Sequence, residues 1–152
     1  MKSPKIYIRD SGLLHALLGI RTESELLTHP LLGASWEGYI IEQVLQVADA
    51  DDAYFWATHG GAELDLLLFR SGRRYGVEVK RSDAPTLTAS MRIAMDDLQL
   101  DLLTVIYPGK RSYELAPNIR VIPAHELALH GQRAVVPTLR HDRHLVDANS
   151  PA

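Results

Sequence analysis

The chain contains no cysteine, no long apolar run and no excess of positive charge. Without cysteine it has no disulfide framework, no thiolate zinc site and no cysteine nucleophile. No apolar run approaches the roughly 20 residues that cross a membrane. The first residues also lack the apolar core of a signal peptide. We therefore expect a cytoplasmic protein with no membrane partner.

The charge balance limits the class of partner. Lys and Arg number 16 against 19 Asp and Glu, which gives a formal net charge of −3. A strongly basic, histone-like role in nucleic-acid packaging is therefore excluded, whereas a local basic patch is compatible with this balance.

The length of 152 residues suits one domain, and 46% hydrophobic with 23% charged residues is typical of a folded globular chain. Three regions are expected. Residues 1–32 would hold a short strand at 5–9 and two short helices, the second opened by a capping box at Thr22 and Glu25. Residues 33–130 would form the core, and residues 131–152, which lack periodicity, a loose tail.

The core pattern predicts an α/β fold. Apolar periodicity indicates a helix, three strands, a helix, a strand, two short strands and a small helix, at 34–48, 53–58, 62–70, 73–80, 87–98, 102–107, 113–115, 119–122 and 124–130. The three consecutive strands would form an antiparallel meander. The strand after the second helix would return beside them through a crossover, which gives a mixed sheet.

The second strand carries a carboxylate in apolar surroundings. By alternation, Leu64, Leu66 and Leu68 point to one face, and Asp65 points to the other with Leu67. Both faces are largely apolar, as in a central strand covered on both sides. A buried carboxylate without a partner is unfavourable by several kcal/mol, so the position of Asp65 calls for a reason.

The hairpin register supplies one. If Ser71-Gly72 is a two-residue loop, Asp65 faces Glu78 and Glu63 faces Lys80 across the ladder, with Cβ atoms roughly 5 Å apart. Two carboxylates about 4 Å apart repel by about 4 kcal/mol at an effective dielectric constant near 20. A shared proton or a divalent cation relieves this repulsion, and such oxygen ligands suit Mg²⁺ or Mn²⁺.

A third carboxylate lies on the first long helix. Glu37 precedes Ile41 and Val44 by helical spacing and so borders the face directed at the core. Glu42 lies on the outer side of the same helix. Glu37 is therefore the carboxylate that can approach the sheet.

Glu37, Asp65 and the segment Glu78-Val79-Lys80 resemble the site of the PD-(D/E)XK nuclease superfamily. The resemblance implies a restriction-endonuclease-like core and metal-dependent hydrolysis of phosphodiester bonds in DNA. It implies that Asp65 and Glu78 bind Mg²⁺ or Mn²⁺, that Glu37 is an auxiliary metal ligand, and that Lys80 orients the attacking water. Lys80, Asp65 and Glu78 are then the catalytic residues.

A closer resemblance covers most of the chain. The segments 4–14, 32–37, 63–65 and 77–80 are similar to the C-terminal domain of unknown function in a large family of prokaryotic AAA-type ATPases. The chain itself has no phosphate-binding loop, because the segment from Gly109 to Ser112 lacks the earlier glycine of that motif. The resemblance implies an ATPase domain as a partner, in the same or another chain.

Less specific interpretations remain open at this stage. The carboxylates and Lys80 suit an ordinary salt-bridged hairpin with Glu63 as the partner of Lys80, and Glu37 suits the first turn of any helix. The domain would then be a non-catalytic DNA-binding or regulatory module of an ATPase, or a protein-interaction domain without nucleic acid. Six basic residues, of which Arg73, Arg74 and Arg81 are the main candidates, could form a rim facing phosphates: Arg70, Arg73, Arg74, Arg81, Lys110 and Arg111.

Overall fold

The computed structural model describes residues 8–137, which form a mixed α/β fold with one six-stranded sheet. The helices are α1 Ser11–Leu17, α2 Glu23–Thr28, α3 Leu32–Ala48, α4 Ala89–Leu98 and α5 His125–His130, followed by a 3₁₀ helix at Gly131–Ala134. The strands are β1 Asp52–Ala57, β2 Glu63–Arg70, β3 Arg73–Val79, β4 Leu102–Tyr107, β5 Tyr113–Ala116 and β6 Ile119–Pro123.

The sheet has the strand order β1-β2-β3-β4-β6-β5. Strands β1, β2 and β3 form the antiparallel meander that the sequence predicts. Strand β4 returns through α4 to lie parallel to β3, and β6 lies parallel to β4. The mixed sheet is thereby confirmed. Because β3, β4 and β6 are parallel, they end at the same edge of the sheet, which we call the carboxyl edge.

Two apolar clusters cover the two faces of the sheet. Ile40, Ile41 and Val44 of α3 pack on one face, with apolar residues of β2 and β3 and with the segment that follows α5. Met91 and Ala94 of α4 pack on the other face. Strands β2 and β3 are consequently buried from both sides, so a polar side chain on them is removed from water.

A β-bulge interrupts the second strand. The predicted hairpin register is confirmed from Arg70↔Arg73 to Leu66↔Val77. On the other side of β2 the pairing shifts, so that two residues, Asp65 and Leu66, face Phe55 alone. Alternation breaks there, and Leu64 packs in the cluster under α4 rather than in the cluster of Leu66. The expectation that Leu64 and Leu66 share a face is therefore wrong, because the bulge inserts one residue.

The N-terminal helices follow their capping signals. Asp10 caps α1, and Thr22 with Glu25 forms the predicted capping box of α2. The strand predicted at 5–9 lies mostly outside the described residues, and Ile8 and Arg9 belong to no strand. Arg9 forms an ion pair with Glu42 at 2.8 Å, which covers most of the Glu42 side chain and connects this segment to α3.

The core extends past residue 130, where the sequence analysis placed its end. Ala134, Val135 and Val136 are buried against α3 and the sheet, so the described part of the expected tail is packed. The rest of that tail, residues 138–152, lies outside the described residues. In the part of the chain that the structure describes, no helix is both long enough and apolar enough to cross a membrane.

Candidate functional site

The bulge in β2 positions the first carboxylate of the site. Asp65 is 7% exposed, and its Oδ2 accepts a hydrogen bond from the backbone N–H of Val79 at 2.9 Å. The side-chain oxygen of Asp65 thereby accepts a hydrogen bond that a backbone carbonyl of β2 would accept in a regular hairpin. Sequence reasoning misses this N–H donor, because the bulge depends on pairing with β1.

Glu78 and Lys80 form the second part of the site, at the end of β3. Glu78 is buried, and its Oε1 accepts a hydrogen bond from the ammonium of Lys80 at 2.5 Å. Its other oxygen, Oε2, is also buried and has no hydrogen-bond partner among the described residues. The side chain of Lys80 is 37% exposed, against 5% for Glu78. The ammonium therefore lies between the buried carboxylate and solvent.

Burial controls the ionisation of Glu78. Removal from water, followed by the charge of the nearby Asp65, raises the pKa of Glu78 to about 7, although the hydrogen bond from Lys80 opposes the shift. The charges of Asp65 and Glu78 thus both act on the ammonium of Lys80, and the charge of Asp65 acts on Glu78.

The carboxylates keep Lys80 protonated. Burial by itself lowers the pKa of the Lys80 ammonium, but the hydrogen bond and charge of Glu78, with the charges of Asp65 and Glu37, outweigh burial and raise that pKa above 10.5. Lys80 is therefore a cation at neutral pH. It can donate hydrogen bonds and stabilise negative charge, but it does not accept a proton there.

Glu37 joins the site from the helical layer. It lies in α3, which packs on the sheet, and its charge acts on Lys80. The structure thus brings all four predicted residues into one electrostatic group. It pairs Lys80 with Glu78, where the sequence analysis expected Glu63.

The carboxylate oxygens of the site suit a divalent cation for which the protein supplies only some of the ligands. Within residues 8–137, no three histidine, aspartate or glutamate side chains lie together as a ready metal-binding group. Mg²⁺, however, commonly takes one or two protein carboxylates and completes its shell with water and substrate phosphate. Asp65 and the unpartnered oxygen of Glu78 fit that requirement. Glu37 contributes a negative charge that acts on the ammonium of Lys80.

The predicted basic rim is divided by the structure. Arg73 and Arg74 lie at the start of β3, about 20 Å along the strand from Lys80 at roughly 3.3 Å per residue. The guanidinium of Arg73 contacts Asp101 at 3.4 Å, and that of Arg74 donates to the carbonyl of Leu98 at 2.9 Å. These two arginines fix the end of α4 on the sheet, away from the site.

Arg81 alone of the three main candidates follows Lys80 directly, and it is exposed at the carboxyl edge. The role in nucleic-acid binding that the sequence suggests for Arg73 and Arg74 stays a prediction.

Comparison with known proteins places these residues in a family. The model of a domain of unknown function, DUF4143, matches residues 32–127, which include α3, the hairpin and α4. The chain belongs to this family. The resemblance to a domain of unknown function is thereby confirmed.

Two relatives are similar over most of the chain. They are uncharacterized proteins of Mycobacterium bovis and Mycobacterium tuberculosis, each 46% identical over 130 residues. The match covers 86% of this chain and 30% of each relative, so the chain spans about a third of the length of the curated relatives it matches. No solved structure matches the chain.

Proposed function

We propose that this DUF4143 domain hydrolyses phosphodiester bonds of DNA with Mg²⁺ or Mn²⁺, on a restriction-endonuclease-like core of the PD-(D/E)XK type. The observation that carries the proposal is the buried oxygen of Glu78, which has no hydrogen-bond partner among residues 8–137 and lies beside a second buried carboxylate and a protonated lysine. A buried unpartnered carboxylate oxygen is unfavourable, so its persistence favours a ligand that supplies positive charge.

Each residue has a role that its surroundings support. Asp65 and Glu78 would hold the divalent cation, which when bound supplies Lewis acidity to the scissile phosphate. Asp65 is held in place because its Oδ2 accepts the N–H of Val79. Glu78 must lose its proton to bind a cation, and its pKa near 7 permits this at neutral pH.

Lys80 would act on the reacting groups. As a permanent cation it donates hydrogen bonds to the attacking water and to a non-bridging phosphate oxygen, where negative charge develops. The water oxygen forms a bond to phosphorus and releases one proton to solvent, the ester P–O bond breaks, and the leaving oxygen gains one proton from solvent. Glu37 keeps the ammonium oriented and charged, and it is a positioning residue in this scheme.

Cleavage assays test the proposal. Single-stranded, duplex and branched DNA are incubated with Mg²⁺ or Mn²⁺ and with the protein or its Lys80→Ala, Asp65→Asn and Glu42→Gln variants. We expect metal-dependent cleavage by the parent and by Glu42→Gln, whose changed side chain lies on the outer side of α3, and at least a hundredfold loss in the other two variants. Cleavage that survives Asp65→Asn or needs no metal would contradict the assignment.

A second function has an observation in its favour. The ion pair of Lys80 with Glu78 and the bond from Val79 to Asp65 already satisfy much of the site, as in a structural network. The domain would then be a non-catalytic DNA-binding or regulatory module of an AAA-type ATPase. In that case Asp65→Asn and Glu78→Gln would both lower the free energy of unfolding by about 1–3 kcal/mol, and no DNA would be cleaved.

A further inference from the structure

A short basic loop follows β4 at the carboxyl edge, next to the candidate site. It comprises Pro108-Gly109-Lys110-Arg111-Ser112, and we call it the β4–β5 loop. The backbone N–H of Lys80 donates to the carbonyl of Ile106 on the neighbouring strand β4 at 2.9 Å. The loop begins two residues after Ile106, at Pro108. Adjacent strands are about 4.8 Å apart. The loop therefore starts close to the backbone of Lys80, at the same edge of the sheet.

The loop is held in one conformation by Tyr107. This tyrosine is 3% exposed, and its hydroxyl donates to the carbonyl of Arg111 at 2.8 Å and accepts the N–H of the same residue at 3.1 Å. Its ring lies against Gly109 so closely that a Cβ at this position would overlap it. Both contacts of Arg111 use backbone atoms, which leaves its guanidinium available.

The loop is also connected to the segment after β3. The ring of Tyr107 contacts that of Tyr113 edge-on, with 6.1 Å between their centres. The hydroxyl of Tyr113 donates to the carbonyl of Pro85 at 3.0 Å. The segment that carries Arg81 and the β4–β5 loop are thus fixed against each other by two tyrosines.

The cations at this edge differ from those at the opposite edge. At the opposite edge each guanidinium has a partner. That of Arg70 pairs with Asp49, that of Arg73 pairs with Asp101, and that of Arg74 donates to the carbonyl of Leu98 at the end of α4. The side chains of Arg81, Lys110 and Arg111 are exposed, and none of them has an ion pair within residues 8–137. The acidic residues in the adjoining segments are Asp83 and Glu114, which are exposed, and Glu126, which pairs with His130 at 2.9 Å and accepts a hydrogen bond from Ser112 at 3.4 Å.

From this placement we infer that Lys110 and Arg111 of the β4–β5 loop, with Arg81, bind the phosphate backbone of a nucleic acid next to the candidate site. A preorganised loop binds with a smaller loss of conformational entropy than a flexible one. The inference rests on the proposed function, since the bound strand would bring a phosphodiester to Lys80. It assigns the nucleic-acid surface to the carboxyl edge and not to the start of β3.

Fluorescence anisotropy tests this inference without catalysis. A fluorescein-labelled 20-nucleotide DNA, single-stranded or duplex, is titrated in EDTA with the parent protein at several salt concentrations. The test variant is Lys110→Ala/Arg111→Ala, which keeps the backbone bonds to Tyr107. The matched control is Arg92→Ala/Arg133→Ala, two exposed arginines whose side chains form no ion pair within residues 8–137. Circular dichroism verifies that both variants are folded.

We expect the loop variant to lose about tenfold or more in affinity at low salt, and the control to bind like the parent. The dependence of log K on log salt should become less steep by about 1.4 for single strands and about 1.8 for duplex, the values for two phosphate contacts. An equal effect of both variants, no effect of the loop variant, or no binding by the parent would overturn the inference.

The same protein preparations separate this inference from the proposed function. Binding in EDTA that depends on the loop, together with an absence of cleavage in Mg²⁺ and Mn²⁺, would support the inference and refute hydrolysis. Metal-dependent cleavage, together with DNA binding that is equal in the parent and the loop variant, would support hydrolysis and refute the inference.

Discussion

Replacement of Glu78 by glutamine removes a buried carboxyl group whose charged form burial disfavours. Glu78 is 4% exposed and has a pKa of about 7, against an ordinary value of 4.5. A shift of this size corresponds to about 3 kcal/mol of preference for the protonated form in the folded state. Glutamine has the shape of the protonated carboxyl group but cannot ionise, so it isolates this effect.

The direction of the pH dependence follows from proton binding. Between pH 4.5 and about 7 the folded state retains the proton of Glu78 while the unfolded state releases it. The free energy of unfolding of the parent protein should therefore decrease as the pH rises through this window, by up to about 3 kcal/mol. The shift already includes the favourable hydrogen bond from Lys80, so this value is the net effect at the site.

Urea unfolding at pH 5, 6, 7 and 8 in EDTA measures the difference. Glu78→Gln should lack this decrease and be more stable than the parent at pH 8, by up to about 3 kcal/mol, with similar stability at pH 5. Glu114→Gln, which changes an exposed carboxylate on β5, serves as the control and should keep the decrease of the parent. The reasoning is refuted if the parent and Glu78→Gln show the same pH dependence.

Two further predictions concern the elements that carry the site. Thr88→Ala should lower the free energy of unfolding by about 1 kcal/mol, because the Thr88 hydroxyl caps α4 by accepting the N–H of Met91; an unchanged urea midpoint would contradict this. Gly76→Ala should lower it by about 1–3 kcal/mol, because the new Cβ would lie 2.7 Å from Leu100 and 2.8 Å from Leu103 at the centre of the sheet. A thermal unfolding midpoint equal to that of the parent would show that these leucines move aside.

The sequence predicts the hairpin at the centre of the site well, because its register is decided locally. Ser71 and Gly72 both adopt positive φ, 50° and 74°, as a tight two-residue turn requires. That turn sets the pairing of β2 and β3 from Arg70↔Arg73 to Leu66↔Val77, one residue short of Asp65 and Glu78.

The features that the sequence does not reveal depend on contacts between distant segments. The bulge at Asp65 arises where β2 meets β1, and no local pattern in either strand indicates it. Val135 and Val136 show no periodicity because they fill the core from the irregular segment that follows the 3₁₀ helix. The ion pair of Lys80 with Glu78, rather than with Glu63, is likewise visible only in three dimensions.

The candidate basic residues show the same limit of sequence-based prediction. By composition, the arginines beside the hairpin turn are as suitable for phosphate contacts as those at the other edge. Only the three-dimensional arrangement shows that Arg73 and Arg74 hold α4 in place. It also shows that Tyr107 fixes the loop of Lys110 and Arg111 at the end of β4, the strand that neighbours Lys80.

The central claim is that Asp65 and Glu78 together bind a divalent cation, and calorimetric titration with Mn²⁺ at pH 6.5 tests it most directly. The parent protein should bind one ion and release a proton from Glu78, which titrations in buffers of different ionisation enthalpy detect. Asp65→Asn should bind at least tenfold more weakly, and Asp97→Asn, changed at an exposed position of α4, should bind like the parent. An absence of binding, or equal binding by Asp65→Asn, would contradict the claim.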